Sequence, residues 1–494
     1  MDDKTNTMRN AQAGAFFVMS AFALAVDAGC AGGTAAPPAI GTGTAAPSPT
    51  RSPAVNPTGV PTTAPSPLPT LGATAAPLPN ALTFAASGVY GETIASGLSS
   101  PRQLVALPNG DLLAGSNDAR GIVYIIPNAD GASGAGAPKV FVTIPSPATQ
   151  GTAQGIALDA TATNVYVATN QSVWKVPYHL GDQSEPTPAV EVAKVRRGSI
   201  APNSDGDVHY TSSVAVVGST LYVGVGSSCN ACVETDPTRG TIQRVDLGTL
   251  AMSTKAARFR NALALTVNPA TNTLWAGGAG QDVLLPINGA IVTGVNDALA
   301  GHPYEFFDAV TTHAEAVPDY GWPDCEENDH LYNPLAKPNA SCDSTTTPNA
   351  KDVVPAVALF AYSTIIGAAF YPANQTGAYT LPPSYRGGAF LSMHGSWHED
   401  PNGRPLAVPE IAYVPMSGDR PVLPADWNNS GAQWQSFLYG FQDTTNGTRI
   451  GRPVGLAVGP NGSLFIADDY AGTIYRVRAG AGPASVRRAP HTRR

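Results

Sequence analysis

The sequence predicts an all-β chain folded as a six-bladed β-propeller, and three observations carry that expectation. The first is composition: the 494 residues include 51 Gly and 45 Pro, and only 13% are charged, a balance rich in turns and poor in long polar helices. The second is a repeat. PRQLVALPNGDLLAGSNDARGIVYII, AQGIALDATATNVYVATNQSVWKVP, YTSSVAVVGSTLYVGVGSSC with its return GTIQRVDL, RNALALTVNPATNTLWAGGAGQDVLLPI and GRPVGLAVGPNGSLFIADDYAGTIYRV share one order of parts. Each has a polar start, a strand of small apolar residues, a turn such as PNG or PATN, a second strand with a Tyr, Trp or Phe, a gap and a third strand. The third observation is spacing. The first four starts lie roughly fifty residues apart, the period of a propeller blade. Two stacked β-sandwiches would not repeat a turn-and-aromatic pattern at a fixed period.

A sixth copy, diluted by insertion, fits YSTIIGAAFYP followed by YRGGAFLSMHGSW and EIAYVPM. The segment FAASGVYGETIASGL, ahead of the first full repeat, is expected to supply the strand that closes the ring, which would remove exposed edges.

The propeller is assigned to residues 81–480. Residues 1–30 read as an export signal: Lys4 and Arg9 precede the apolar run AGAFFVMSAFALAV, which is short for a membrane span. Ala28, Gly29 and Cys30 resemble a lipoprotein cleavage site, although Asp27 stands where an apolar residue is usual, so lipid anchoring at Cys30 and ordinary signal cleavage both stay open. Residues 31–80 are almost entirely Ala, Pro, Thr, Gly and Ser, a composition that buries too little apolar surface to fold and reads as an extended tether. Residues 481–494 form a short basic tail. The expected location is outside the cytoplasm, in the periplasm or cell envelope. A net charge of −8 with no basic face argues against nucleic acid. In an exported chain, Cys229 with Cys232 and Cys325 with Cys342 are expected as two local disulfides; a zinc site built from all four is the competing reading.

In a propeller, the residues opening each repeat lie at one mouth of the central channel. Here they are polar: Arg102 and Gln103, Gln154 with Gln150 upstream, His209 and Thr211, Arg260 and Asn261, Ser363 and Thr364, and Arg452. Gln103, Ser363 and Thr364 are expected to satisfy turns. A charge at the inner end of a channel strand is costly without a partner, so Arg260 and Arg452, with Asn261, are expected to meet a ligand. Cations, amides and few acids suit an anionic, oxygen-rich ligand. His209, the one histidine among the starts, is the candidate proton acceptor.

HYTSS with GSSCNAC, RNALAL, YGWPDC, YRGGAF with HGSW, and RPVGLAVGPNGSLFIADDYAGTIYRV together make the chain resemble the exported PQQ-dependent sugar dehydrogenases, in particular the L-sorbosone dehydrogenase and pyranose dehydrogenase-like branch. The resemblance implies a six-bladed propeller that oxidises a sugar alcohol or aldehyde carbon with bound pyrroloquinoline quinone (PQQ) and calcium. It gives His209 the role of general base and matches Arg260, Asn261 and Arg452 to cofactor contacts, with Gln150 and His394 as further candidates. Where relatives carry an acidic stretch after the fourth blade's Trp, this chain reads WAGGAGQDVLLPINGA, so the calcium ligands would be Gly278, Gly280 and Asp282. No CxxCH haem motif is present, so electrons would pass to an external acceptor. Two other classes are weighed. A lactonase-type hydrolase would need a central Glu that the channel starts lack. A cofactor-less propeller acting as an exported binding module remains the alternative.

Overall fold

The computed structural model describes residues 75–144, 152–195, 209, 213–281, 304–323, 353–396, 405–427 and 429–480. Their regular structure is almost entirely strand, in six antiparallel blades and one small hairpin, with a single 3-10 turn at Pro383–Tyr385. Blade 1 runs from its inner strand Pro101–Ala106 through Leu112–Ser116 and Ile122–Ile126 to Lys139–Thr143. Blade 2 starts at Gly155–Leu158, blade 3 at Val214–Val217, blade 4 at Ala262–Asn268, blade 5 at Ile365–Phe370 and blade 6 at Pro453–Val458. Each inner strand touches the inner strands of the blades before and after it, and blade 6 returns to blade 1, so the ring is closed.

Period-two alternation explains why these sequences form blades. In Ile122–Ile126, Ile122, Tyr124 and Ile126 enter the core between blades 6 and 1, while Val123 and Ile125 enter the core between blades 1 and 2. Both faces of a blade are therefore buried, and the strand reads as continuously apolar rather than as polar–apolar alternation. Six hydrophobic clusters result, one at each junction between neighbouring blades. The aromatic of the second strand fills the widening gap: Trp275 is fully buried between Phe307 and Phe370, with ring centroids 4.9 and 5.6 Å away.

The ring closes as the sequence predicts, with one addition. Val89–Ala95, from within the predicted closing segment, is the fourth strand of blade 6 and pairs with the C-terminal strand Thr473–Ala479. Thr83–Phe84 pairs with Gln435–Tyr439 on the outside of blade 5, so the N-terminal segment is stitched to two blades. Ala76–Pro77, which composition places in the tether, pairs with Thr93 and Glu92. An edge position leaves proline's missing N–H unneeded, so order extends slightly into the segment read as linker. The signal segment, Cys30, the rest of the tether and the C-terminal tail lie outside the described residues.

Gln103 sits inside the channel, and its role is structural. Its amide oxygen accepts from the N–H groups of Ile156 (3.2 Å) and Val214 (3.3 Å), and its Nε2 donates to Val214 O (2.9 Å). One side chain thus satisfies inner-strand backbone on blades 2 and 3, where neighbouring blades do not share a hydrogen-bond ladder. Ser363 closes a turn onto Phe360 O (2.7 Å).

Candidate active site at the channel mouth

The mouth is built where the second strand of one blade ends beside the start of the next. In blade 3 the chain leaves Thr220–Val225 through Gly226 and Ser227. A Cβ on Gly226 would lie 2.4 Å from His209 Cβ and 2.6 Å from Asn261 Oδ1. Only glycine lets His209 and Asn261 both come this close to the backbone here. Ser227 N–H then donates to Arg260 O (2.8 Å), fixing blade 4 against blade 3. Half-buried His209 directs Nδ1 at Ser227 Oγ (2.8 Å) and Ser227 O (3.2 Å). Behind it, Arg239 Nε donates to Gly226 O (3.1 Å) and Nη2 to Ser227 O (2.5 Å), so a buried guanidinium holds the backbone on which the imidazole rests.

A second cluster comes from blades 5, 6 and 1. His394 is 4% exposed and its Nε2 lies 3.0 Å from Asp469 Oδ1. The other oxygen of Asp469 accepts from Arg102 Nη1 (2.5 Å). Arg452 Nε donates to His394 O (2.9 Å) and Nη2 to Gly395 O (2.7 Å). Burial lowers the Arg452 pKa, helped by Arg449, to about 9, so it stays cationic at neutral pH. The two clusters are joined through blade 5. His394 N–H donates to Thr364 O (3.0 Å), and Thr364 N–H donates to Glu305, whose other oxygen accepts from Gly280 N–H (3.3 Å). Tyr362 and Thr364 take φ values of 65° and 50° in this link, a costly conformation for a β-branched residue and one that concentrates at functional sites.

His394 and Asp469 form a neutral–anionic pair. Burial pushes the imidazole down to about 4 against the pull of Asp469. Burial also works against the Asp469 carboxylate, but contacts with His394 and the Arg102 guanidinium reverse this and hold it well below the usual range. A carboxylate only accepts, so Nε2 of His394 carries the proton and Nδ1 keeps its lone pair. Among the described residues that Nδ1 is buried without a hydrogen-bond partner, as are Asn261 Oδ1, Gln154 Oε1 and Gln281 Oε1. Four orphaned polar atoms near one mouth mark a place built for a polar ligand, because each costs free energy when left unmade.

The His394 value carries a stability prediction. Its folded pKa lies below its unfolded value of 6.5, so between about pH 6.5 and 4 the unfolded chain binds the extra proton and stability falls as pH falls. The full effect is on the order of 3 kcal/mol. Asp468, raised by burial to about 6, acts in the opposite sense: its contribution is lost as pH rises through that value. The His394 part is therefore read as a difference. In urea titrations at about pH 7 and pH 4.5, the change in stability on acidification should be less unfavourable in His394→Asn than in the wild type; equal pH dependence in both proteins would overturn it.

Two expectations from sequence need correction. Arg260 is 4% exposed, and its Nε, Nη1 and Nη2 donate to Asn230 O (2.9 Å), Gly280 O (2.5 Å) and Asn230 Oδ1 (2.9 Å). The partners that make its burial tolerable are protein oxygens, so it clamps the loops of blades 3 and 4 and contributes positive charge to the mouth. The same contact displaces the expected calcium shell. A guanidinium 2.5 Å from Gly280 O puts a cation where a calcium ion would need that carbonyl, so Gly280 does not fit a calcium site in this arrangement. Asp282 and Gln150 lie outside the described residues.

Sequence reasoning expected few acids here and missed Asp469 and Glu305, as well as Ser227 and Arg239. Asp469 and Ser227 lie one and two residues past the second strands of their blades, and a comparison of the blades over that short exit segment is the signal that would have found them. Cys229 and Cys232 form a disulfide, which removes them from zinc binding; Cys325 and Cys342 lie outside the described residues.

Against known proteins, this architecture finds the same fold. The holo PQQ domain of pyranose dehydrogenase from Coprinopsis cinerea superposes with a TM-score of 0.61 at 18% identity, covering 82% of this chain and 98% of that one. A calcium structure of the carbohydrate-active enzyme family AA12 protein from Trichoderma reesei superposes with a TM-score of 0.61 at 19% identity, covering 83% and 99%. A curated relative, an uncharacterized protein of Borreliella burgdorferi, is 23% identical over 292 residues, 58% of this chain, and the match spans 64% of that relative's length. The TrAA12-like family profile matches residues 83–480, the whole propeller, and the chain belongs to that family.

Proposed function

We propose that the protein is an exported quinoprotein that oxidises a sugar alcohol or aldehyde carbon, using PQQ and passing electrons to an external acceptor. The observation that carries this reading is the mouth itself: His209 beside an orphaned Asn261 Oδ1, facing a channel whose other side holds Arg452, Arg102 and His394. The name of the Coprinopsis cinerea neighbour, a pyranose dehydrogenase PQQ domain, supports it. PQQ, when bound, supplies a two-electron quinone and three carboxylates. Arg452 and Arg260 set the positive field that favours those carboxylates, and the unpartnered Asn261 Oδ1, Gln154 Oε1 and His394 Nδ1, all acceptors, suit the hydroxyl groups of the sugar rather than the carboxylates. His209 removes the hydroxyl proton of the bound sugar and holds it on its ring. Arg260 takes the Gly280 carbonyl, so a calcium ion would have to be held without it. L-Sorbosone and related pyranoses are the substrate class to test first, and attachment to the membrane through Cys30 is part of the same proposal.

A second reading, a cofactor-less binding module, draws on the same Arg260–Gly280 contact. One titration separates them. Purified protein is mixed with PQQ, with and without calcium, and followed by quinone absorbance and thermal unfolding. Binding at a hundredfold excess over Kd should add about 2.7 kcal/mol of stability. Absence of any shift at millimolar PQQ would leave the binding module. A shift that survives chelation would mean that calcium is not needed to hold PQQ; one lost on chelation would place calcium in the site without the Gly280 carbonyl.

A further inference from the structure

We propose that the Ser227 hydroxyl, with the Cys229 carbonyl behind it, sets the tautomer of His209 and so makes Nε2 its basic nitrogen. This rests on the reading of His209 as the proton acceptor and adds the residue that prepares it.

The argument is one of counting protons. Ser227 Oγ lies 2.7 Å from Cys229 O, and a carbonyl can only accept, so the single hydroxyl proton of Ser227 points there. Its lone pairs are left for His209 Nδ1 at 2.8 Å. Nδ1 also faces Ser227 O at 3.2 Å, a second atom that can only accept. Two acceptors at one ring nitrogen are compatible only with a proton on that nitrogen. In a neutral imidazole the lone pair then belongs to Nε2. The arrangement does with a neutral hydroxyl what a carboxylate does in a Ser-His-Asp triad: it fixes ring orientation and tautomer before substrate arrives.

The relay is held rigidly. Ser227 is fully buried and Cys229 nearly so. The Cys229–Cys232 disulfide closes the loop that carries the Cys229 carbonyl. Within that loop the Asn230 carbonyl accepts from Arg260 Nε (2.9 Å) and Trp322 Nε1 (3.1 Å), anchoring it to blade 4. Arg239 fixes Ser227 from the other side. Ser227 is a positioning residue in this scheme, since it acts only through His209.

The tautomer is read directly in the apoprotein, from long-range proton–nitrogen correlation spectra of histidine labelled with nitrogen-15 at about pH 8.5, where imidazole is neutral. The His209 signals are identified by their loss in His209→Gln. The wild type should show a protonated Nδ1 and a bare Nε2. Ser227→Ala should raise the share of the Nε2–H form by about fivefold, the effect of one lost hydrogen bond, with the Ser227 backbone acceptor still present. On reconstituted enzyme the same change should lower kcat by about two- to tenfold with KM unchanged, and Ser227→Thr, which keeps the hydroxyl, should restore both readouts. An Nε2–H tautomer in the wild type, or a ratio that Ser227→Ala does not move, would overturn the proposal. Because the spectra need neither PQQ nor turnover, they judge the relay even if no sugar is oxidised. A preparation with the expected tautomer and no PQQ binding would sink the enzymatic reading alone.

Discussion

His209→Gln is expected to abolish PQQ-dependent, dye-linked sugar oxidation, lowering kcat by about 10²–10⁴-fold, with thermal unfolding and PQQ binding unchanged. The size follows from what is removed. Glutamine has an amide that can still donate toward Ser227, in place of the Nδ1 contact at 2.8 Å, but it has no nitrogen that takes a proton near neutral pH. The fold should not notice. His209 is half-buried and precedes the inner strand, and one of its ties to blade 3 is a backbone hydrogen bond, N–H to Ser227 O at 3.3 Å, that glutamine also makes. Binding should survive because the groups matched to the cofactor, Asn261 and Arg452, belong to blades 4 and 6, and Arg452 is fixed by the His394 and Gly395 carbonyls. The measurement is single-turnover and steady-state oxidation of a panel of pyranoses with an artificial acceptor. A variant that binds PQQ and keeps its rate would remove His209 from the chemistry, leaving the buried His394–Asp469 pair as the next base to test.

What the sequence could and could not foretell follows one physical line. Features repeated six times were readable because each blade solves the same problem. Leu112 and Leu113 must enter different cores, turns such as PNG must reverse an inner hairpin, and an N-terminal strand must close the ring. His209, Asn261 and Arg452 were placed at one mouth by repeat phase alone. The Arg102–Asp469–His394 arrangement was not readable, because its members come from three blades and Arg102 and Asp469 stand 367 positions apart. Ser227 looks like any turn serine until its partner atoms are known. Arg260 misled for an instructive reason. A buried guanidinium demands acceptors, and sequence displays side-chain acceptors but not the backbone carbonyls of Asn230 and Gly280 that answer it here.

The largest stability effect is expected at the closure of the ring. Glu92 lies on Val89–Ala95, directly opposite Arg476 on the C-terminal strand Thr473–Ala479. Arg476 Nε and Nη2 reach Glu92 Oε1 at 2.7 and 2.6 Å, and both side chains are more than nine-tenths buried. Arg476 Nη1 continues to Ala129 O (2.8 Å) and Gly131 O (3.0 Å) in blade 1. One ion pair thus joins the first and last parts of the propeller and the blade that follows. Glu92→Ala would strand the Arg476 charge in the interior and take a partner from Arg478, at a cost of about 3–5 kcal/mol. Replacing both members by apolar residues, Glu92→Met with Arg476→Leu, leaves only the partly exposed Arg478 without its carboxylate and should cost much less than either single change. Urea denaturation of the four proteins gives the coupling directly. A single-variant loss below about 1 kcal/mol would mean that Arg476 finds water or another acceptor when Glu92 is gone, and that closure rests on the strand ladder and the apolar junctions between blades alone.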